Sequence, residues 1–279
     1  MKAQTKATLQ MLLCSLLWSI SAIFIKQIDW NPVVISGMRS LFAALTIFVF
    51  IKLKKYRLEL NRRSATTGIF LSATFLLFVT ANKLTTAANA IVLQFTSPVF
   101  ILVFLAVFFK EKLIKKDVLA VVFTFIGITL FFVDDMSGGR LAGNLVAVAA
   151  GMTLALAYMS INKGTEDDRM SGIFWGNFFT AVVGIVFLAI TKPRITLLPV
   201  LYIVILGVVQ LGIPYILLAY ASKYCPPLTC SLLGVLEPLL NPVWVFFATG
   251  ERPGTIAFVG AAVVIVSITS WCLSKKDGD

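Results

Sequence analysis

Runs of about twenty apolar residues alternate along this chain with short polar stretches, and the alternation predicts ten helices able to cross a lipid bilayer. The runs cover residues 8–28, 32–52, 64–83, 86–109, 117–133, 141–162, 171–191, 199–224, 226–248 and 253–273. Several begin at proline (Pro32, Pro199, Pro226 and Pro253), a residue suited to the first turn of a helix, where its missing N–H costs nothing. The first run follows Lys2 and Lys6 much as a secretory signal would. It continues through Trp18 to Lys26 without a clear small-residue cleavage site, and it has a counterpart later in the chain, so it is read as a span. The longest loop, 53–63, is short and basic, which leaves no room for a soluble domain.

Composition points the same way. Hydrophobic residues make up 59% of the chain and charged residues 13%, with a mean hydropathy of +0.94. A soluble globular domain carries about 25% charged residues, so this chain could not cover its surface in water. The formal net charge is +11, but Lys and Arg sit in short clusters between apolar runs. That is membrane-flanking charge, and no basic surface remains to grip nucleic acid. With the N-terminus inside, the inner loops carry 17 Lys and Arg and the outer loops 6, with Arg39 alone inside a span. The excess of positive charge on the inner side places both termini in the cytoplasm, as an even number of spans also requires. Small size and short loops suggest a bacterial plasma membrane.

Several chemistries are disfavoured. The chain has no histidine, the commonest metal ligand and proton shuttle. Cys14, Cys230 and Cys272 lie in apolar runs and Cys225 at a helix end, which is no disulfide framework. There is no Gly-rich phosphate loop ending in Gly-Lys-Ser/Thr, no Gly-x-Ser-x-Gly elbow and no pair of aspartates inside spans. An enzyme is not expected, and neither a metal nor a cofactor is implied.

Adding 140 to a position in the first half repeatedly reaches an equivalent in the second. Ala81 maps to Ala221, Lys83 to Lys223, Pro98 to Pro238, Val103 to Val243, Glu111 to Glu251, and Trp18 to the aromatic Tyr158. The Pro and Glu pair keeps its spacing in both halves. Two units follow, 1–136 and 141–273, with a tail at 274–279. Five spans per unit is an odd number, so the second unit enters the membrane from the opposite side. The expected fold is therefore an all-α membrane protein of ten transmembrane helices arranged as two inverted five-helix repeats, an arrangement of many secondary transporters.

The tract Leu236-Glu237-Pro238, followed by Gly250-Glu251 and an apolar glycine-containing helix, resembles the second repeat of EamA-type transporters of the drug/metabolite transporter superfamily. Trp18, Arg39, and Pro98 with Glu111 resemble the first repeat. The resemblance covers essentially the whole chain. It implies ten helices around a central cavity lined by the first four of each half, with the fifth at the periphery. It also implies transport of amino acids, other metabolites or drugs, often outward. Ser97 stands where the second repeat has Glu237, so any acidic chemistry is asymmetric.

Glu237 is the acidic residue deep inside a span, where an ionisable group costs several kcal/mol (about 2.5 to 3.5 for Asp, Lys or Arg in insertion assays). It is a candidate counter-ion for an amine or a proton-coupling carboxylate, and a structural bond to a neighbouring helix is the plainer reading. Arg39 either binds a substrate carboxylate, pairs with Glu237, or snorkels to the outer surface. Pro98 and Pro238 are candidate hinges or static kinks. Trp18, Tyr158, Trp175, Tyr215 and Tyr220 could wall a cavity or simply pack. Among uncharged polar residues in spans, Gln94 ranks first, with Asn82, Asn89, Asn177, Gln210 and Asn241 behind it. Glu111 and Glu251, at helix ends, read as structural. The function expected is a secondary transporter moving a small metabolite by alternating access, as an exporter, with protons as a candidate coupling ion. The alternative is a channel or a lipid-translocating protein.

Overall fold

The computed structural model describes residues 3–85, 87–131, 141–240, 244 and 255–276, and every regular element among them is helical. The first half holds α1 (Ala3–Trp18), α2 (Ser21–Lys26), α3 (Pro32–Lys54), α4 (Arg62–Leu84), α5 (Ala87–Gln94), α6 (Ser97–Phe108) and α7 (Lys115–Phe131). The second holds α8 (Leu141–Lys163), α9 (Glu166–Thr191), α10 (Leu197–Ile205), a π-helical segment (Leu206–Gly212), α11 (Ile213–Ala221), α12 (Pro227–Gly234) and α13 (Thr255–Lys276). Among the described residues seven stretches are long and apolar enough to cross a membrane: Ala3–Lys26, Pro32–Lys54, Arg62–Leu84, Asn89–Phe108, Leu141–Lys163, Glu166–Thr191 and Leu197–Ala221. Pro227–Leu240 and Val259–Trp271 are shorter apolar helices.

Helix starts fall where side chains satisfy the free backbone donors of the first turn. Asn31 accepts from the Val33 N–H just ahead of Pro32. Asn61 with Ser64, and Thr165 with Asp168, each form a reciprocal capping box at the heads of α4 and α9.

Four predicted spans are not continuous α-helices. The first breaks at Ser19–Ile20, between α1 and α2, and the fourth at Phe95–Thr96, between α5 and α6. The ninth turns at Val235 before helix resumes over 236–240. The eighth widens into the π segment that leads into Pro214. The physical cause is clearest at the two positions related by 140 residues. Pro98 and Pro238 have no N–H, so the carbonyls of Gln94 and Gly234 lose their intrahelical donors. Pro98 therefore sits in the first turn of α6 rather than mid-helix.

Small residues set the packing. α9 presents Gly172, Gly176, Thr180 and Gly184 at four-residue intervals, on one side of the helix. Gly37 of α3 crosses directly over Gly184, where a Cβ on either would collide with the other's Cα. Thr180 donates to Ser72 Oγ of α4 at 2.9 Å. Hydroxyl pairs join α4 to α8, Thr67 to Ser160 at 2.6 Å and Thr74 to Thr153 at 2.9 Å. α1 packs on α11 and α12, α6 on α12, and α7 on α13 at the periphery. Leu45, Phe108, Phe123, Ile190 and Leu197 are exposed on the outside, while Ser36, Ser40, Asn177 and Thr180 are buried. Apolar groups outside and small or hydrogen-bonded polar groups between helices are what a lipid solvent selects.

Candidate functional site

All four irregular stretches meet around one cavity in the middle of the helix bundle. Trp18 comes from the break after α1, and Gln94, Phe95 and Ser97 from the break between α5 and α6. Gln210 and Leu211 come from the π segment, and Ser231, Gly234 and Glu237 from the broken ninth span. The rest of the wall is Arg39 of α3, Thr74, Phe75 and Phe78 of α4, Leu154 and Tyr158 of α8, and Tyr215 of α11. The cavity holds about 550 Å³ of empty space including its mouth, of which only a small core is wide enough for water. At membrane depth, non-helical backbone is tolerated where it lines such a cavity, because freed N–H and C=O groups find water or ligand there.

The cavity holds one carboxylate and one guanidinium, and no ion pair joins them among the described residues. Arg39 is only 1% exposed. Its Nη1 donates to Gln210 Oε1 at a long 3.4 Å, its Cζ lies 5.9 Å from the Phe78 ring, and its Nε has no acceptor. The Trp18 indole N–H is likewise buried without an acceptor. Trp18 and Phe75 both pack on Tyr215, with ring centroids at 5.4 Å and 5.1 Å. The hydroxyls of Ser97 and Ser231 meet at 2.8 Å, tying the two broken spans together. Among the described residues no three His, Cys, Asp or Glu side chains gather as metal ligands would.

Of the residues singled out in the sequence, Glu237, Gln94, Trp18, Tyr158, Arg39, Gln210 and Tyr215 are brought to this cavity. Arg39 does not snorkel to a surface. Asn82 lies elsewhere: its Nδ2 donates to the Phe78 carbonyl at 3.0 Å, and its own carbonyl receives Lys26 Nζ at 2.5 Å. Asn177 donates to the Ile173 carbonyl within its own helix. Asn241 and Glu251 lie outside the described residues. Glu111 is exposed, and among the described residues its carboxylate takes part in no ion pair. Of the five aromatic candidates, Trp175 and Tyr220 lie away from the cavity. Phe75, Phe78, Phe95 and Ser231 were not anticipated. The repeat itself carried part of that signal, since subtracting 140 from Tyr215 gives Phe75, and from Gly234 gives Gln94.

One end of the bundle carries a polar clamp. The loop after α3 lies on the head of α9: the Arg57 N–H donates to Asp167 at 3.0 Å, and Asn61 Nδ2 to Asp168 at 2.6 Å. Trp175 Nε1 donates to the Glu59 carbonyl at 3.1 Å. Tyr56 and Tyr220 share a 2.8 Å hydrogen bond, and burial followed by that bond pushes the Tyr56 hydroxyl well above its ordinary range. Asn162 donates to the Ser222 and Cys225 carbonyls at 2.8 and 3.3 Å. The exposed Lys223 pairs with Glu166 at 2.6 Å, and this hydrogen bond raises the ammonium above its usual range. At the opposite end Lys26 and Lys83 donate to carbonyls of α4 and of the segment after α2, and Trp30 donates to the Arg194 carbonyl at 3.1 Å.

A model of the EamA-like transporter family matches the chain twice, over residues 5–133 and 141–270. The chain is 28% identical over 201 residues, 64% of its length, to human solute carrier family 35 member G1, and the match spans 54% of that relative. It is 26% identical to an uncharacterized transporter of Clostridium kluyveri, covering 82% of this chain and 78% of that one. An uncharacterized transporter of Archaeoglobus fulgidus is 20% identical over 92% of both chains. A solved crystal structure superposes with a TM-score of 0.80 at 18% identity, covering 99% of both chains, which speaks for the fold.

Proposed function

The chain belongs to the EamA-like transporter family of membrane proteins, and from that premise we propose that it moves a small metabolite across the membrane by alternating access. The single observation that carries this reading is the cavity. It is lined from both halves of the chain, and it lies where the helices of both halves are broken. Such a site, in a bundle of ten spans built as inverted units 1–136 and 141–273, opens first to one side and then to the other as the halves rock. The narrowness of the cavity fits this scheme, because a metabolite enters only when the walls part. The clamp at the end carrying Lys55 and Lys223, read as the cytoplasmic end from its positive charge, closes one of the two routes. Both termini then lie in the cytoplasm and the membrane is a bacterial plasma membrane. Movement is outward by the resemblance to exporters, and a co-transported proton would have Glu237 as its seat.

The test is counterflow in proteoliposomes loaded with amino acids, amines or drug-like compounds. Saturable uptake accelerated by the same solute on the far side is expected. Flux that rises linearly with concentration would instead identify a channel, and lipid movement without solute movement a lipid translocator; either would end the transporter mechanism proposed.

A further inference from the structure

We propose that the groove between α7 and α13, on the outside of the bundle, binds an anionic phospholipid, with one acyl chain lying in the groove and the phosphate at Lys116. The two helices run antiparallel. Trp271 Nε1 donates to Asp117 Oδ1 at 2.8 Å, Ser267 Oγ donates to the Ala120 carbonyl at 3.2 Å, and Gly127 lies against Gly260 and Val264. At Gly127 they are so close that a Cβ would lie 2.7 Å from Val264 Cγ2. Towards the other end they enclose a groove with about 1120 Å³ of empty space including its open side. Leu119, Phe123, Val263 and Val266 line its length, and Lys116, Ser270 and Ser274 line it where α7 starts and α13 nears its close. The stretch of α13 from Ala262 to Ser274 is about 18 Å long at about 1.5 Å per residue. That is close to the depth of one leaflet, about half of a ~30 Å hydrocarbon core. A polar mouth above an apolar channel of that depth has the profile of a lipid molecule.

Charge selects the headgroup. Lys112, Lys115 and Lys116 are exposed at the mouth, and α13 ends on Lys275-Lys276. These lysines, with Lys110, outnumber the acidic residues of the same end, Glu111 and Asp117 in the described chain and Asp277 and Asp279 in the tail. Asp117 is also engaged by the Trp271 indole. A lysine stem can lie along the apolar wall while its ammonium stays at the surface, and basic groups between membrane helices hold anionic headgroups there. A zwitterionic lipid would bring an ammonium of its own to this cluster. A second copy of the chain, packed about a twofold axis, would bring the same lysines face to face. An anionic phospholipid meets neither repulsion, so it is the occupant that the groove and its mouth fit together.

The experiment places the full chain in phosphatidylcholine nanodiscs with a rising fraction of acyl-chain-brominated phosphatidylglycerol or, in parallel, brominated phosphatidylcholine. Bromine quenches the Trp271 fluorescence, read as the difference between the wild type and Trp271→Phe. Native mass spectrometry of the wild type with equal amounts of the two lipids reads the same preference without that variant. Phosphatidylglycerol should half-quench Trp271 at a several-fold lower mole fraction than phosphatidylcholine, and should be retained in several-fold excess over it. Lys116→Gln should remove most of both preferences, whereas Lys192→Gln, at the opposite end of the bundle, should keep them. Ala262→Phe, which fills the deep part of the groove, should lessen quenching by either lipid. Equal quenching by the two lipids, or a preference that survives Lys116→Gln, overturns the proposal, and unchanged quenching in Ala262→Phe overturns the placing of the chain. Displacement of phosphatidylglycerol by millimolar sn-glycerol 3-phosphate would make this a site for a soluble phosphate instead. Protection of Trp271 from both lipids, with two chains cross-linked in one disc, would assign the groove to a second copy.

Discussion

Depth and polarity together pick out the residues of the cavity. Glu237 and Arg39 are costly at bilayer depth, and both are found in the cavity wall. Trp18, Tyr158 and Gln94 were legible through polarity and the repeat. Asn82 shares their polarity, yet it sits one helical turn beyond Phe78 and bonds back to that residue's carbonyl. Position along a span gives depth only to within a turn, and a turn separates cavity from packing. Asn82→Ala should therefore leave ligand affinity unchanged, and stability within about 1 kcal/mol, the usual net worth of one hydrogen bond. Binding isotherms and thermal unfolding of the purified variant measure the two quantities. Gly184 is less forgiving. A Cβ there runs into the Cα of Gly37, backbone against backbone. Gly184→Leu should cost about 1–3 kcal/mol by overpacking the crossing of α3 and α9, seen as a lower unfolding temperature; an unchanged one would mean that the helices are free to move apart.

Breaks in the helices, more than the helices themselves, place the cavity wall. Two of them follow from Pro98 and Pro238 and were legible at that level. The break at Ser19–Ile20 has no such local mark, whereas the π segment at Leu206–Gly212 runs into Pro214, which has no N–H for the Gln210 carbonyl; the repeat points to neither, since the α8 and α4 stretches related to them by 140 residues run unbroken. Gly151 of α8 adds a second constraint. A Cβ on it would lie 2.7 Å from both the Gln94 carbonyl and Thr96 Oγ1, so α8 presses on the opened turn between α5 and α6. Gly151→Val is expected to push α8 away and lower the unfolding temperature. Pro98→Ala returns a donor to the Gln94 carbonyl. If the break is a hinge, turnover in counterflow should fall several-fold while equilibrium binding changes little. Full turnover would show that the break is a static kink.

Across the whole molecule the two ends are held differently. The clamp around α9 uses the carboxylates of Glu166, Asp167 and Asp168 with partners from the loop after α3 and from Lys223. The Lys223–Glu166 pair is about half exposed, so salt screens it and it holds little by itself. Asp168 is buried and bonds to Asn61, the Thr165 N–H and Arg63, so it holds more. Asp168→Ala should loosen the clamp. The reporter is Cys225, buried below it, in a variant with Cys14, Cys230 and Cys272 changed to Ser. Its reaction with a water-soluble maleimide should quicken several-fold when Asp168 is removed, and an unchanged rate would show that the clamp does not control access.

The sequence by itself determined the solvent, the helical class and the twofold repetition. Those depend on average hydropathy, on run length and on a constant offset, all of which are one-dimensional. It also marked Glu237 and Arg39, because the energetic penalty of a charge depends on depth, and depth is counted along a span. Only the tertiary structure decided that these two share a cavity without pairing, that Trp18 and the Arg39 Nε are left without acceptors, and that Trp175 and Tyr220 bond within the clamp at one end instead. Those outcomes depend on which face each helix turns inward and how closely Gly37, Gly151 and Gly184 let the helices approach. They are properties of pairs of helices, which hydropathy along one chain does not encode.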